Sequence, residues 1–326
     1  MFLILLAYLK VGLILPLCGD FGIFGRQFLK GFAIATDPLE IENVVMDSKA
    51  DPFISLACAK SLNHRNVFLI IGDILSKPSL SIAIYANENK IPVIIPTSLE
   101  PRLSEVGEYI FRMPSLVETQ AQKLARFLLD SLGIMDIAIL APKNLKGETA
   151  VKAFLNEFED EGEILKIEWY EPECTNFKDH LLNIKDVEPE AIFIPAEEKE
   201  IELIAPELWF YDVISENTII CGLKEWGDEK LFNENKRYLE GVIFTQPVID
   251  KKFSLYYKIY YGEEPGSFSY LGYIVGKLVQ KMNDRNINTR EKIKNFLKKN
   301  SREGIIASCN IKIKFYRVKN GRREEI

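Results

Sequence analysis

Short apolar runs alternate with longer stretches whose apolar residues recur at helical spacing, and this alternation continues along most of the 326-residue chain. Residues 11–15 form an unbroken apolar run, the mark of a strand buried on both faces. A turn punctuated by proline and glycine follows, from Pro16 to Gly25. Phe24, Phe28, Gly31, Phe32 and Ala35 then return at helical spacing, so one face of that helix can lie on a sheet. The same reading predicts strands over 41–46, 67–71 and 92–95, with helices over 52–62 and 79–88 between them. After an extended piece at 109–113, a long helix is expected over 117–132, carried by Val117, Ala121, Leu124, Leu128 and Leu132. A second alternation follows, with strands at 137–140, 164–169, 191–194, 219–221 and 242–244 and helices near 147–158, 177–184 and within 201–213. Pro206 falls inside the last of these and is expected to open a new helix after a short first turn. The tail predicts a helix marked by Leu271, Ile274, Val275, Leu278 and Met282, and another capped by Asn288 with Glu291. Extended pieces over 306–318 and an Asn320-Gly321 turn close the chain. Helices this short act as right-handed crossovers between parallel strands. The expected fold class is therefore α/β, with two lobes, each a parallel sheet with helices on both faces, and a cleft between them.

Composition narrows the function. Hydrophobic residues at 47% and charged residues at 27% describe an ordinary globular chain, and a net charge of -6 gives no reason to expect nucleic acid. Lys251-Lys252 and Lys298-Lys299 read as solvated faces. The five cysteines make no C-x-x-C pair, which argues against a disulfide framework, and Cys58 and Cys221 read as small buried hydrophobes. His64 and His180 lie far apart, so no metal site and no cofactor are expected. No Ser/His/acid or Cys/His set emerges, and Ser76 beside Lys77 shows no oxyanion logic, so the protein is not expected to be an enzyme. Gly19, Gly22 and Gly25 are spaced unlike a nucleotide fingerprint. The apolar start MFLILLAYL has no basic segment before it and runs into the first strand, so it does not read as a secretory signal. Leu17 is too large to precede a lipoprotein-type Cys18, and the chain is expected to be a domain cut from a longer one.

The opening stretch resembles that of the type I periplasmic binding proteins, the leucine-binding-protein-like class. Pro16, Leu17, Cys18 and Gly19, then Gly25 and Gly31, stand where that family has Pro-Leu-Ser-Gly and two later glycines, with Cys18 in place of serine. Asp47, Phe111-Arg112, Gly147, Phe193-Ile194-Pro195, residues 204–208, Gly222, Trp226 and Glu240-Gly241-Val242 continue the resemblance at family spacing. These markers are similar to the penicillin-binding protein activator-like lipoproteins. The resemblance implies lobe one from residues 1–118 with 249–303, lobe two from 119–248 with 304–326, and three crossovers. It also implies a periplasmic or envelope-associated place.

Loops at the carboxyl ends of parallel strands are where such sheets bind ligands. The candidates are Leu17 and Phe21 after the first strand, Ser76 after the third, and Thr97 with Ser98 after the fourth. In the second half they are Asn144, Lys146, Glu197, Lys224 and Trp226. The resemblance places a ligand carboxylate on Ser76 and Thr97. It leaves Leu99 at a hydroxyl position, Lys146 at an aromatic one, and Leu223 and Lys224 near the acid that pairs an ammonium. Lys224 opposes such an ammonium, which weakens a branched-chain amino-acid reading and favours a small polar or anionic molecule. Two functions compete: a binding module that contacts an envelope protein or a peptidoglycan synthase, and the substrate receptor of an ABC permease.

Overall fold

A computed structural model describes residues 9–37, 41–97, 100–215, 218–302, 304–306 and 311–326. The candidate Ser98, with Leu99, lies outside the described residues. The chain opens with β1 (Leu9–Leu15), α1 (Gly22–Thr36), β2 (Ile41–Asp47), α2 (Pro52–His64), β3 (Leu69–Gly72), α3 (Ser76–Glu88), β4 (Val93–Ile95) and β5 (Ile110–Arg112). It continues with α4 (Leu116–Phe127), β6 (Asp136–Pro142), α5 (Leu145–Phe158), β7 (Glu163–Tyr170), α6 (Lys178–Lys185) and β8 (Ala191–Ile194). Then come α7 (Glu198–Phe210), β9 (Ile219–Gly222), α8 (Glu229–Asn235) and β10 (Ile243–Val248). Three helices follow, α9 (Lys251–Tyr261), α10 (Ser267–Asp284) and α11 (Arg290–Lys299). The last strands are β11 (Ser301–Arg302), β12 (Ile305–Ile306), β13 (Lys312–Lys319) and β14 (Arg322–Glu325).

These elements form two compact units. Unit 1 is Met1–Ser115 with Ile249–Asn310, and unit 2 is Leu116–Val248 with Ile311–Ile326. The unit 1 sheet runs β11-β12-β5-β4-β3-β1-β2, parallel from β12 to β2. In unit 2 the order is β14-β13-β10-β9-β8-β6-β7, parallel from β10 to β7 and closed by the antiparallel β13–β14 hairpin. Both are α/β sheets flanked by helices, the architecture of a type I periplasmic binding protein. The central strands β3, β4, β8 and most of β1 and β6 are fully buried, which is why they read as unbroken apolar runs.

In unit 1, Gly31 on α1 and Gly272 on α10 serve helix packing. A Cβ at Gly31 would overlap the carbonyl oxygen of Ser269, and one at Gly272 the carbonyl oxygen of Phe28. Only glycine lets α1 and α10 approach backbone to backbone, over a core of Phe28, Phe32, Val275 and Val279. Cys58 and Cys221 are buried free thiols.

Several local expectations differ from the structure. Pro206 lies within α7, which runs through it, because Ile201, Ile204, Ala205 and Leu208 keep one buried stripe on the unit 2 core. That packing outweighs the hydrogen bond proline cannot donate. The cap of α11 is Thr289, whose hydroxyl accepts the Lys292 N–H, rather than Asn288. Helix α9 and strand β14 have no counterpart in the sequence pattern.

Candidate functional site

The parallel order puts the loops after β1, β3 and β4 at one end of the unit 1 sheet. Asp47, at the end of β2, organises the first of them. Its Oδ1 accepts the N–H groups of Leu17 at 2.8 Å and Lys49 at 2.9 Å. Its burial raises the carboxyl's pKa, but the Leu17 N–H and the Cys18 thiol outweigh that and hold it below its ordinary value. The Leu17 carbonyl accepts from Arg26 at 2.6 Å, so the Leu17 backbone is occupied at both ends. Phe21 is exposed at the start of α1 and provides no side-chain cap.

The loop after β3 stands on Asp73, which is fully buried. One carboxylate oxygen accepts the Leu75 N–H at 3.0 Å, and the other has no hydrogen-bond partner. Burial pushes this carboxyl up to about 6 against the opposing hydrogen bonds from Ser48 and the Leu75 and Ile74 N–H groups. Ser79 donates to the Asp73 carbonyl at 2.9 Å. Ser76 is half-buried at the first turn of α3, a helix whose N-cap position, Leu75, supplies no side-chain acceptor. Thr97 donates its hydroxyl to the Ile74 carbonyl at 2.7 Å, so it ties the loop after β4 to the loop after β3.

In unit 2 the loops after β6, β8 and β9 converge on one charged cluster. Asn144 caps α5, its side chain accepting the Gly147 N–H at 2.9 Å. In the first turn of α5, the Lys146 ammonium bonds Glu197 at 2.8 Å and Glu225 at 2.7 Å. Burial opposes the Lys146 charge, but the two carboxylates outweigh it and raise its pKa. Glu197 is aimed at Lys146 from the start of α7, where Glu200 accepts the Glu197 N–H. Glu225 is 7% exposed, and its second oxygen has no hydrogen-bond partner. The Lys224 ammonium stands 4.0 Å from the bonded Glu225 oxygen and is half exposed. Its backbone N–H goes to Gln120, a buried amide on α4 that also accepts from Thr245. Among the described residues no group of His, Cys, Asp and Glu is suited to a metal ion.

Trp226 lies elsewhere. It is fully buried, donates its ring N–H to the Ile194 carbonyl at 2.8 Å, and belongs to the unit 2 core. The ring lies beside Gly222 and fills the core where strand β9 ends. Sequence reasoning points to the stretch from Lys224 to Trp226 without singling out Glu225. It also passes over Gln120 and Asp73, whose partners are backbone atoms or side chains far along the chain. No local pattern marks such residues.

Residues 8–317 match the family described as periplasmic binding protein, and the chain belongs to that family. It is therefore a ligand-binding domain of the periplasmic binding protein family, related to the Leu/Ile/Val-binding proteins. Among curated relatives, the Leu/Ile/Val-binding protein BraC3 of Rhizobium johnstonii is 24% identical over 231 residues, covering 66% of this chain and 61% of that protein. The chain spans about half the length of the curated relatives it matches, with 41% and 43% covered in two others. The solved leucine binding protein LivK of Thermotoga maritima has a TM-score of 0.60 at 24% identity, covering 98% of this chain and 97% of that one. A branched chain amino acid ABC transporter periplasmic ligand-binding protein of Burkholderia xenovorans gives 0.69 at 13% identity, covering 98% and 94%.

Proposed function

We propose that this protein is the solute receptor of an ABC permease, and that its ligand is a small polar solute carrying both an ammonium and a carboxylate group. The likeness to Leu/Ile/Val-binding proteins and to an ABC transporter ligand-binding protein favours this reading over contact with an envelope protein or a peptidoglycan synthase. The observation that carries the ligand class is Glu225, a buried carboxylate with one oxygen paired to Lys146 and the other without a partner. A buried acceptor left open costs roughly 1–3 kcal/mol or more, and a ligand ammonium would repay that cost. Lys146 and Lys224 give the same loops a cationic side that an apolar ligand side chain does not use. That the ligand also carries a carboxylate rests on the resemblance alone.

The test is a thermal-shift screen followed by calorimetry on acidic, amide and branched-chain amino acids. A polar or acidic amino acid is expected to bind at micromolar affinity, about -8 kcal/mol, and the branched-chain set to shift the melting temperature little. Glu225→Gln should weaken the selected ligand by tenfold or more, in line with roughly 2–5 kcal/mol for truncating one member of a buried charge pair. Affinity unchanged in Glu225→Gln, or tight leucine binding, would overturn the assignment.

A further inference from the structure

Helix α9 buries only one of its faces. Phe253 and Tyr257 point into unit 1, where Phe253 packs on Tyr270 and Tyr273. An adjoining face carries Leu255, Tyr256, Ile259 and Tyr260, exposed by 59%, 41%, 68% and 72%. Spacings of one and four residues place all four on one side of the helix. Scattered exposed apolar residues are ordinary, but a contiguous stripe of them is not.

The stripe has a symmetry. About the peptide linking Tyr257 and Lys258 the pattern reads alike in both directions: Leu255 mirrors Tyr260, and Tyr256 mirrors Ile259. Beyond them, Lys251 and Lys252 at the start of the helix mirror Glu264 and Glu263 after its end. Neither lysine makes an ion pair among the described residues, Lys252 resting instead over the Tyr256 ring. Both glutamates are exposed, Glu263 pairing with Lys30 at 2.7 Å and Glu264 with Lys258. Exposed pairs of this kind are weak and can be shared.

We propose that this face of α9 joins two copies of the chain about a two-fold axis, with the two helices antiparallel. In that arrangement each apolar side chain meets its mirror partner, and the basic end of each helix meets the acidic end of the other. A two-fold interface requires such self-complementarity. A single 11-residue helix covers less than the roughly 800 Å² per partner of a standard interface. The dimer is accordingly a weak one, with a dissociation constant on the order of 10–100 µM.

Sedimentation velocity from about 10 to about 500 µM should show the wild-type chain passing from monomer to dimer. Ile259→Asp should remain monomeric throughout. The charge arrangement is tested by two double variants, Lys251→Glu with Lys252→Glu, and Glu263→Lys with Glu264→Lys. Each alone opposes like charges at both ends and should be monomeric, whereas an equimolar mixture restores both pairings and should dimerise. All the replaced side chains are exposed, and melting temperatures check that each variant folds. If losing the Tyr257 bond to Glu263 unfolds the second variant, Glu264→Lys alone replaces it. A wild-type chain that stays monomeric, an Ile259→Asp chain that still dimerises, or a mixture that does not recover would each overturn the proposal. So would wild-type binding to anionic lipid vesicles without self-association, since the face would then belong to a membrane.

Discussion

Asp73 should make unit 1 more stable as the solution is acidified from neutrality, against the usual trend for carboxylates. Its pKa of about 6 in the folded protein lies above its ordinary 3.8, because it is buried with one oxygen unpartnered. The folded state therefore holds the proton more tightly than the unfolded chain. The stabilisation is complete below pH 3.8 and is lost as the pH rises through 6. A difference of about two pKa units means that about 3 kcal/mol of stabilisation is lost at pH 7.5 and roughly half of that at pH 5. Asp73→Asn removes the titration and keeps an oxygen for the Leu75 N–H. Its stability advantage over wild type should therefore be about 1.4 kcal/mol larger at pH 7.5 than at pH 5. Asp47 and the other carboxylates titrate in both proteins and cancel in this comparison. The three tryptophans, Trp169, Trp209 and Trp226, all belong to unit 2, so their fluorescence would miss the effect. Hydrogen exchange of the β1 and β3 amides, or urea unfolding followed by circular dichroism, reports on the right unit. A stability difference between the two proteins that does not change with pH would refute the reasoning.

Two further outcomes follow from packing and charge. Gly31→Ala should destabilise unit 1 by about 1–3 kcal/mol, since its methyl group overlaps the Ser269 carbonyl and forces α1 from α10, and the midpoint of urea unfolding read by exchange in α1 measures it. Lys146→Met should cost unit 2 about 3 kcal/mol by leaving Glu225 buried without its cation, while adding Glu225→Leu to it should recover part of the loss, both read by tryptophan fluorescence on unfolding.

The sequence by itself determined the α/β class and most of the elements. A parallel strand buried on both faces has to be apolar throughout, so β1, β3, β6 and β8 announce themselves residue by residue. Helices with one buried face, such as α1 and α10, keep their spacing for the same reason. Elements whose burial departs from that contrast were not legible. Helix α9 hides because apolar residues on its exposed face blur the periodicity of Phe253 and Tyr257. Strand β14 hides because all four of its residues are exposed and charged. Tertiary structure alone decided the rest. Pro206 stays inside α7 because the stripe around it packs on a core that no local window contains. Trp226 turns inward because the Ile194 carbonyl, 32 residues away, accepts its N–H. Lys146 and Glu225 are 79 residues apart and meet only because β6, β8 and β9 lie side by side in parallel, bringing their following loops to one end of the sheet. Local pattern records which face of an element is buried, whereas the partner of a buried charge depends on which strands become neighbours.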